Sequence, residues 1–312
     1  MLGSVLRRTR GIVLLQYVPN ALGARGMNLR FCFWLRRLSA AGVDVRVMFH
    51  EPYFYYSVTR PWRNAAAAVQ RVMARVLIQA SSTVYLSTET WRRFLEPLAT
   101  LRRSEVLPIP SSIPSGAPAE AIARFRSEFA ADGAPLVGHF GTYGDHVGAE
   151  LFKWLPTVVS AAPAARLVLI GARSTEFLER FRIGYPGIAA RAHATGRLQG
   201  AVVSAALAAC DLLVQPYPDG ITTRRTSMMA GLKNGVPVVS TAGALTEGFW
   251  DHTGAVALVR PDDLASAATT VARLLSNPEE RRELARRGEE MYARYFSMPQ
   301  TIARLRGDAV AP

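Results

Sequence analysis

Short apolar runs rich in β-branched residues alternate along the chain with segments whose apolar residues recur every three or four positions. The first pattern is typical of buried strands, and the second of helices that turn one face to a core. Two series of strands are predicted, at 12–16, 43–49, 83–86 and 105–109, and at 135–140, 167–170, 212–215, 237–240 and 256–259. Because helices separate the strands almost throughout, we predict an α/β protein with parallel sheets covered by helices on both faces.

Two helices of the first series are clearly marked in the sequence. The helix predicted at 28–41 ends before Gly42, and glycine commonly follows a helix C-terminus. The helix predicted at 62–79 carries one apolar stripe that we expect to face the core. The stripe consists of Trp62, Ala65, Val69, Val72 and Val76.

A proline-rich segment, LPIPSSIPSGAP at 107–118, separates the two series and contains four prolines and no charged residue. Such a composition is typical of a linker between domains. We therefore predict two Rossmann-like domains, 1–110 and 111–312, the second closed by a C-terminal helix that begins at Asn277-Pro278. Open parallel sheets bind ligands at the carboxyl ends of their strands, so a ligand is expected in the cleft between the domains.

Positive charge is concentrated in the first third of the chain. The formal net charge is +13, and residues 1–117 hold 16 arginines but five acidic residues, a net charge of +11. A GC-rich genome would explain why lysine occurs only at Lys153 and Lys233, but it does not explain the missing acids. The charge indicates that the first domain faces a polyanion. Charge alone leaves three kinds of polyanion open: an anionic membrane surface, a nucleic acid or a phosphorylated substrate.

Several classes of protein are excluded by composition. The two cysteines, Cys32 and Cys210, are too few for a disulfide scaffold and have no metal-ligand spacing. The longest uncharged apolar stretch, at 198–210, is too short to cross a bilayer, and the N-terminus lacks the apolar core of a signal peptide. We expect a cytoplasmic protein that binds at most peripherally to a membrane.

Two loops that follow strands of the second domain could bind an anion. The loop in VGHFGTYGDHVGAEL at 137–151 is rich in glycine and precedes a helix, although tight packing of strand and helix would explain the glycines equally well. In the loop after the strand at 212–215, Arg224 and Arg225 precede a helix N-terminus. Such a pair is often only solvated, but at this position it offers forked donors to a diphosphate.

These motifs, in their order, resemble the donor domain of a GT-B glycosyltransferase of the retaining group 1 (family 4) type, over residues 137–297. The matching segments are GHFG, RLVLIGA, TGRL, ACDLLVQPY and NGVPVVST. The resemblance implies a nucleotide-diphosphate-sugar donor, no other cofactor and no obligatory metal. It also implies these donor-binding residues: Gly141, Thr142, Tyr143, Gly196, Arg197, Leu198, Asp219, Gly220, Arg224, Arg225 and Ser227.

The sequence also departs from the family pattern. Two glutamates that the family commonly carries before the GxPV motif are replaced here by Thr222 and Ala230. An Arg and a Lys that usually follow the first glycine strand correspond to Thr142 and Val147. The segment PYPDGITTRRTS at 216–227 resembles a subgroup with a PYxDGxSxRRxS loop. Our hypothesis is that Arg224 or Arg225 binds the negatively charged diphosphate in place of the missing Arg and Lys.

In the first domain, His50-Glu51-Pro52 follows a predicted strand and resembles the family's strand-end histidine, which lies beside the transferred sugar. We assign a catalytic role to His50 and Glu51, with a histidine held by a turn as the alternative. The loop at 16–28 is expected to line the acceptor side through Arg25 and Gly26. Compared with the family, this domain looks about two βα units short, which indicates a misplaced start, a fragment or a partner chain that completes the sheet.

The function that best fits these patterns is transfer of a sugar to a glycan or lipid-linked acceptor in cell-surface polysaccharide or glycolipid synthesis. Nucleic acid is not an expected partner. Two alternatives stay open. The first is a non-catalytic glycosyltransferase-like subunit or regulator, which the missing glutamates and the short first domain favour. The second is a nucleotide-sugar epimerase of the same two-domain architecture.

Overall fold

The computed structural model describes residues 11–307. Its contacts divide the chain into two compact units, Met1–Pro108 and Ile109–Pro312. The division falls two residues before the boundary expected from the proline-rich segment. Three arginines that contribute to the charge of the first domain, Arg7, Arg8 and Arg10, lie outside the described residues.

The first unit contains a sheet of parallel strands in the order β1-β2-β3-β4 in its described part. Its elements are β1 (Ile12–Tyr17), α1 (Leu29–Ala40), β2 (Asp44–Phe49), α2 (Arg63–Ala80), β3 (Thr83–Leu86), α3 (Arg92–Leu95) and β4 (Ser104–Val106). Asn28 caps α1, since its side-chain oxygen accepts a hydrogen bond from the Phe31 amide at 3.2 Å. Two short 3₁₀ turns, Pro19–Leu22 and Ala24–Gly26, connect β1 to α1.

The second unit contains a parallel sheet in the order β10-β9-β8-β5-β6-β7. Its strands are β5 (Leu136–Phe140), β6 (Arg166–Ile170), β7 (Ala192–Ala194), β8 (Leu212–Gln215), β9 (Val238–Thr241) and β10 (Ala257–Val259). Its helices are α4 (Ala119–Phe129), α5 (Asp145–Ala161), α6 (Ser174–Gly184), α7 (Pro186–Ala189), α8 (Gly200–Ala208), α9 (Thr226–Lys233), α10 (Trp250–Thr253), α11 (Leu264–Ser276), α12 (Pro278–Met291) and α13 (Met298–Arg306), with a π-helical turn at Tyr292–Phe296.

The alternation of strands and helices, and the parallel sheets it predicts, are confirmed. The strand that the sequence pattern missed is β7, whose Ala-His-Ala sequence carries no β-branched residue. In the structure β7 pairs with the edge of β6.

The prediction that the apolar stripe of α2 is buried is wrong for most of its residues. Trp62, just before the helix, is 72% exposed and Val72 is 47% exposed. The buried face instead includes Ala67, Met73 and Leu77 together with the polar Gln70. Gln70 is satisfied there, because its side chain accepts from the Phe54 amide at 2.8 Å and donates to the Gly26 carbonyl at 3.3 Å. Trp62, Ala65 and Val72 of the predicted stripe are therefore exposed, while Val76 is buried as expected.

The proline-rich segment packs against the second unit instead of spanning open solvent. Ser111 is buried, and its amide donates to the Tyr292 hydroxyl at 3.1 Å. The Lys233 ammonium donates to the Ile113 carbonyl at 2.7 Å. These bonds tie residues 109–114 to α9 and to the π-helical turn.

Candidate functional site

A pocket of about 400 Å³ lies in the second unit, at the carboxyl ends of β5, β6, β7 and β8. Parallel strands end at one edge of a sheet, so the loops that follow them converge there. The pocket is lined by Ile113, His139, Phe140, Gly141, Thr142, Val147, Gly171, Ala172, Arg197, Leu198, Val203, Gln215, Tyr217, Arg224, Arg225, Thr226 and Ser227. The structure thus brings together seven of the eleven residues expected to bind the donor.

Two glycines bring the loops after β5 and β6 into backbone contact at the pocket floor. The Gly141 amide donates to the Ile170 carbonyl at 3.1 Å. Gly171 has a φ of 134°, and a Cβ atom there would lie 1.9 Å from the Gly141 carbonyl oxygen. No residue with a side chain fits that approach. This part of the pocket floor is therefore backbone alone, and no side chain there takes up space that a ligand could occupy.

Arg225 stands at the start of α9 with its guanidinium over an aromatic ring. The guanidinium carbon lies 4.5 Å from the centre of the Tyr217 ring. The Tyr217 hydroxyl is 2.8 Å from the Ser227 oxygen, so the ring itself is held in place. The Arg225 Nε atom is buried and has no hydrogen-bond partner in the described part of the chain. A buried guanidinium nitrogen of this kind is suited to an anionic acceptor.

The electrostatic character of the pocket is cationic. Arg197, Arg224 and Arg225 line it, and none of the described lining residues carries a carboxylate. The helix α9 begins here with no side-chain cap, so its first-turn amides and its dipole add to the positive potential. The pocket therefore favours a ligand with negative charge near β8.

Hydrogen bonds to Glu247 hold the loop between β8 and α9 in place. Its Oε1 accepts from the Thr223 amide at 3.1 Å and from the Thr223 hydroxyl at 2.8 Å, and its Oε2 accepts from Trp250 Nε1 at 2.9 Å. Glu247 was not predicted, because the two glutamates of the family pattern belong to the segment that holds Thr222 and Ala230. It lies in a separate loop after β9, so no local motif marks it.

Two residues expected in the donor site, Asp219 and Gly220, form a turn outside the pocket lining. Gly220 has a φ of 88°, and a Cβ atom there would lie 2.2 Å from the Thr246 hydroxyl oxygen. The Leu245 amide donates to the Asp219 carbonyl at 2.9 Å. Gly220 is needed for the packing of this turn, while the Asp219 side chain is exposed.

The other two expected residues outside the lining are Tyr143 and Gly196. Tyr143 is fully buried, and its hydroxyl donates to the His139 carbonyl at 3.0 Å. Burial holds the pKa of the Tyr143 phenol well above its usual value. Gly196 has a φ of 63°, and its amide donates to the Ser174 hydroxyl at 2.9 Å. Gly196 therefore shapes the turn that presents Arg197 and Leu198.

His139, at the pocket floor, is a buried neutral histidine. Its Nδ1 lies 2.8 Å from the Val214 carbonyl oxygen, so Nδ1 carries the proton and donates. Nε2 has no hydrogen-bond partner among residues 11–307 that the structure describes. Burial lowers the pKa of His139 to about 4, outweighing the opposite effect of the Val214 carbonyl.

In the first unit, His50 directly follows β2 and is anchored through both backbone and side chain. Its amide donates to the Tyr17 carbonyl at 3.0 Å, and its carbonyl accepts from Trp91 Nε1 at 3.0 Å. Its Nε2 lies 2.6 Å from the amide oxygen of Gln16. Gln16, predicted as the last residue of the first strand and given no role at the site, thus orients the ring. His50 and the adjacent Glu51 are both half-buried.

The residues expected on the acceptor side, Arg25 and Gly26, lie in a left-handed turn between β1 and α1. Ala24, Arg25 and Gly26 have φ values of 48°, 55° and 78°. A Cβ atom at Gly26 would lie 2.9 Å from Nε2 of Gln70, which requires glycine there. The Arg25 side chain is exposed, and left-handed backbone at a non-glycine residue is uncommon.

Comparison with known proteins identifies the architecture. Residues 134–277 match the family model described as "Glycosyl transferases group 1". HepE from Anabaena in complex with UDP superposes with a TM-score of 0.71 at 14% identity, over 98% of this chain and 80% of that chain. The chain has the GT-B fold, and residues 134–277 of its second unit match the group 1 family model.

Two further GT-B structures show the same fold. Sucrose-phosphate synthase from Thermosynechococcus elongatus superposes with a TM-score of 0.66 at 15% identity, over 98% of this chain and 77% of that chain. A UDP-forming trehalose-phosphate synthase from Burkholderia xenovorans gives 0.66 at 15% identity, over 100% and 78%. No curated protein matches the sequence significantly.

The positions at which this GT-B chain departs from the group 1 pattern fall into two environments. Thr222 and Ala230, which replace the two glutamates, are both fully buried. Thr142 and Val147, which replace the Arg and the Lys, both line the pocket. Positive charge at the pocket is thus carried by the arginines of the β7 and β8 loops.

Proposed function

We propose that this chain is a retaining glycosyltransferase that transfers a sugar from a nucleotide-diphosphate sugar to a glycan or lipid-linked acceptor. The observation that carries the proposal is the cationic pocket with Arg225 at the start of α9, in a unit that matches group 1 glycosyltransferases. A diphosphate needs forked donors and uncapped helix amides, and this edge of the sheet offers both.

Within the pocket, we assign the diphosphate to Arg224 and Arg225, with Gly141 and Thr142 on the opposite loop. The base and ribose are assigned to the turn that carries Arg197 and Leu198. The solved structures of HepE contain UDP or UDP-glucose, which supports uracil as the base.

Catalysis and acceptor binding are assigned to the first unit. His50 is proposed to act on a hydroxyl of the reacting sugar through the imidazole, and Glu51 to support it. Arg25 and Gly26 are proposed to contact the acceptor. The transfer needs no metal ion in this proposal, so activity should persist in a chelator.

The proposed setting is the cytoplasmic face of a membrane, in synthesis of a cell-surface polysaccharide or glycolipid. The excess of arginine in the first third of the chain supports it, because anionic lipids attract such segments. Within residues 11–307, no helix is long and apolar enough to cross a bilayer. We assign attachment to the surface of the first unit, where the arginines are concentrated.

The first test is thermal unfolding with UDP, GDP, ADP and their sugars. A nucleotide present at about 100 times its dissociation constant should raise the stability by about 2.7 kcal/mol. One nucleotide series should stabilise the protein and thereby identify the base. Absence of any stabilisation would contradict a donor site in the second unit.

Arg225→Ala should weaken UDP binding by about 10- to 100-fold, since a hydrogen bond to a charged group contributes about 1.5–3 kcal/mol. The matched control is Arg260→Ala, which removes an exposed arginine that pairs with Asp262 and does not line the pocket. Binding is measured by calorimetry with UDP alone. Equal affinity in Arg225→Ala and Arg260→Ala would remove Arg225 from the site.

A non-catalytic subunit is the second candidate, and one observation favours it. The positions of the two family glutamates are held by buried Thr222 and Ala230, and none of the described pocket-lining residues is a carboxylate. The two candidates differ in turnover. Stabilisation by UDP together with neither hydrolysis nor transfer of UDP-sugar, across a panel of lipid-linked acceptors, would favour the subunit.

A further inference from the structure

Between β2 and β3, the first unit exposes a group of apolar side chains to solvent. We name it the docking face, and it comprises Tyr55, Tyr56, Val58, Trp62, Ala65 and Val72. Val58 is 98% exposed and Trp62 is 72% exposed. Residues 62, 65 and 72 share one side of α2, as their helical spacing requires. Large exposed apolar surfaces mark interaction sites.

Hydrogen bonds hold the tip of the docking face in one shape. The Ser57 amide donates to the Asn64 side-chain oxygen at 2.8 Å, and the Asn64 side-chain nitrogen donates to the Ser57 carbonyl at 3.2 Å. The Arg60 amide donates to the Ser57 hydroxyl at 3.1 Å. At the base, the buried Gln70 accepts from the Phe54 amide. Because the turn is already ordered, docking loses little conformational entropy.

The stretch of chain that carries the docking face has charge of one sign between Glu51 and Glu89. Residues 52–88 contain four arginines and no acidic residue. The Arg71 guanidinium lies 4.0 Å from the centre of the Tyr53 ring and 4.1 Å from that of Tyr56, and Arg63 lies 4.2 Å from that of Phe54. Arginine beside tyrosine and tryptophan is the composition of the membrane–water interface, where rings enter the headgroup layer and cations meet lipid phosphates.

We propose that the docking face binds an anionic lipid bilayer, with Val58 and Trp62 entering the headgroup layer. This deepens the membrane setting of the proposed function, which otherwise rests on net charge alone. The segment that leads into this turn begins directly after His50 and Glu51, the residues assigned to catalysis. A lipid-linked acceptor held in the same bilayer would therefore arrive close to the end of β2.

The test is co-sedimentation of the full chain with lipid vesicles. The wild type should bind vesicles that contain about 30% phosphatidylglycerol, and bind pure phosphatidylcholine more weakly. Val58→Ser combined with Trp62→Ser should reduce binding about tenfold or more, because two apolar side chains no longer leave water. Arg60→Gln should reduce binding about fivefold, as expected for one cation near an anionic surface.

The control is Ile183→Ser, which removes an 87% exposed apolar side chain from α6 of the second unit and should leave vesicle binding unchanged. Wild type that stays in the supernatant, or a double variant that binds as tightly as wild type, would overturn the proposal. The first of these results would point to a protein partner for the docking face. A cooperative thermal unfolding transition of the double variant shows that it is folded. A shift of that transition by UDP, equal to that of the wild type, shows that the proposed donor site is independent of the docking face.

Discussion

Replacing His50 with alanine is expected to lower the rate of sugar transfer by about 10²- to 10⁴-fold, the usual contribution of a positioned acid–base group. UDP affinity should be unchanged, because the pocket proposed to bind UDP is lined entirely by residues of the second unit. The measurement is turnover of UDP-sugar beside calorimetric UDP binding on the same preparation. A loss of turnover without a loss of nucleotide binding separates a catalytic role from a structural one.

The expectation rests on how firmly the His50 ring is oriented. The Gln16 amide oxygen accepts from Nε2 at 2.6 Å, and the His50 backbone is bonded to both Tyr17 and Trp91. Gln16 is thus a positioning residue, and Gln16→Leu should lower kcat more than it changes KM and should shift the pH profile of kcat. The shift tests orientation directly, since a purely structural role would leave the pH profile in place.

A matched histidine provides the control for this prediction. His252 is exposed on α10 of the second unit, and His252→Ala should retain full turnover. Transfer by His50→Ala within twofold of that by His252→Ala would contradict the catalytic assignment. The non-catalytic subunit would then become the better description of the chain.

The sequence predicted the sheets well because their signal is local. A buried parallel strand reads as a short apolar run, and each of the nine predicted strands overlaps a strand of the structure. The orientation of α2 was not predictable in this way. Its buried face includes Gln70, whose partners at Phe54 and Gly26 are distant in sequence, so hydropathy alone selected a stripe that only partly overlaps the buried face.

At the candidate site, too, local sequence patterns did not predict the contacts between residues distant in sequence. The arginines of the β8–α9 loop were found because charge before a helix N-terminus is a local pattern. Glu247 was not found, because it reaches Thr223 from a loop that follows another strand. Tyr143 was expected to face the ligand, but its φ of 55° turns the side chain into the core, where it bonds to the His139 carbonyl. Local motifs thus locate the loops, and long-range packing decides which side chains face the pocket.

The buried His139 should make the stability of the protein fall as the pH falls from about 6.5 to about 4. The pKa of the folded state is lowered to about 4 by burial, against an ordinary value of 6.5. Between these values the unfolded chain binds a proton that the folded chain excludes, so acid favours unfolding. At about 1.36 kcal/mol for each pH unit, the loss approaches 3 kcal/mol.

His139→Asn separates this contribution from that of the carboxylates, which also titrate in acid. Asparagine offers a donor near the position of Nδ1, which bonds to the Val214 carbonyl at 2.8 Å, but it does not titrate. Tyr143, whose ring centre lies 5.2 Å from that of His139, stays neutral across this pH range and is common to both proteins. Urea unfolding of wild type and variant at intervals from pH 7 to about 4 measures the difference. The variant starts less stable but should lose about 3 kcal/mol less on acidification, and parallel curves for the two proteins would show that His139 titrates normally in the folded state.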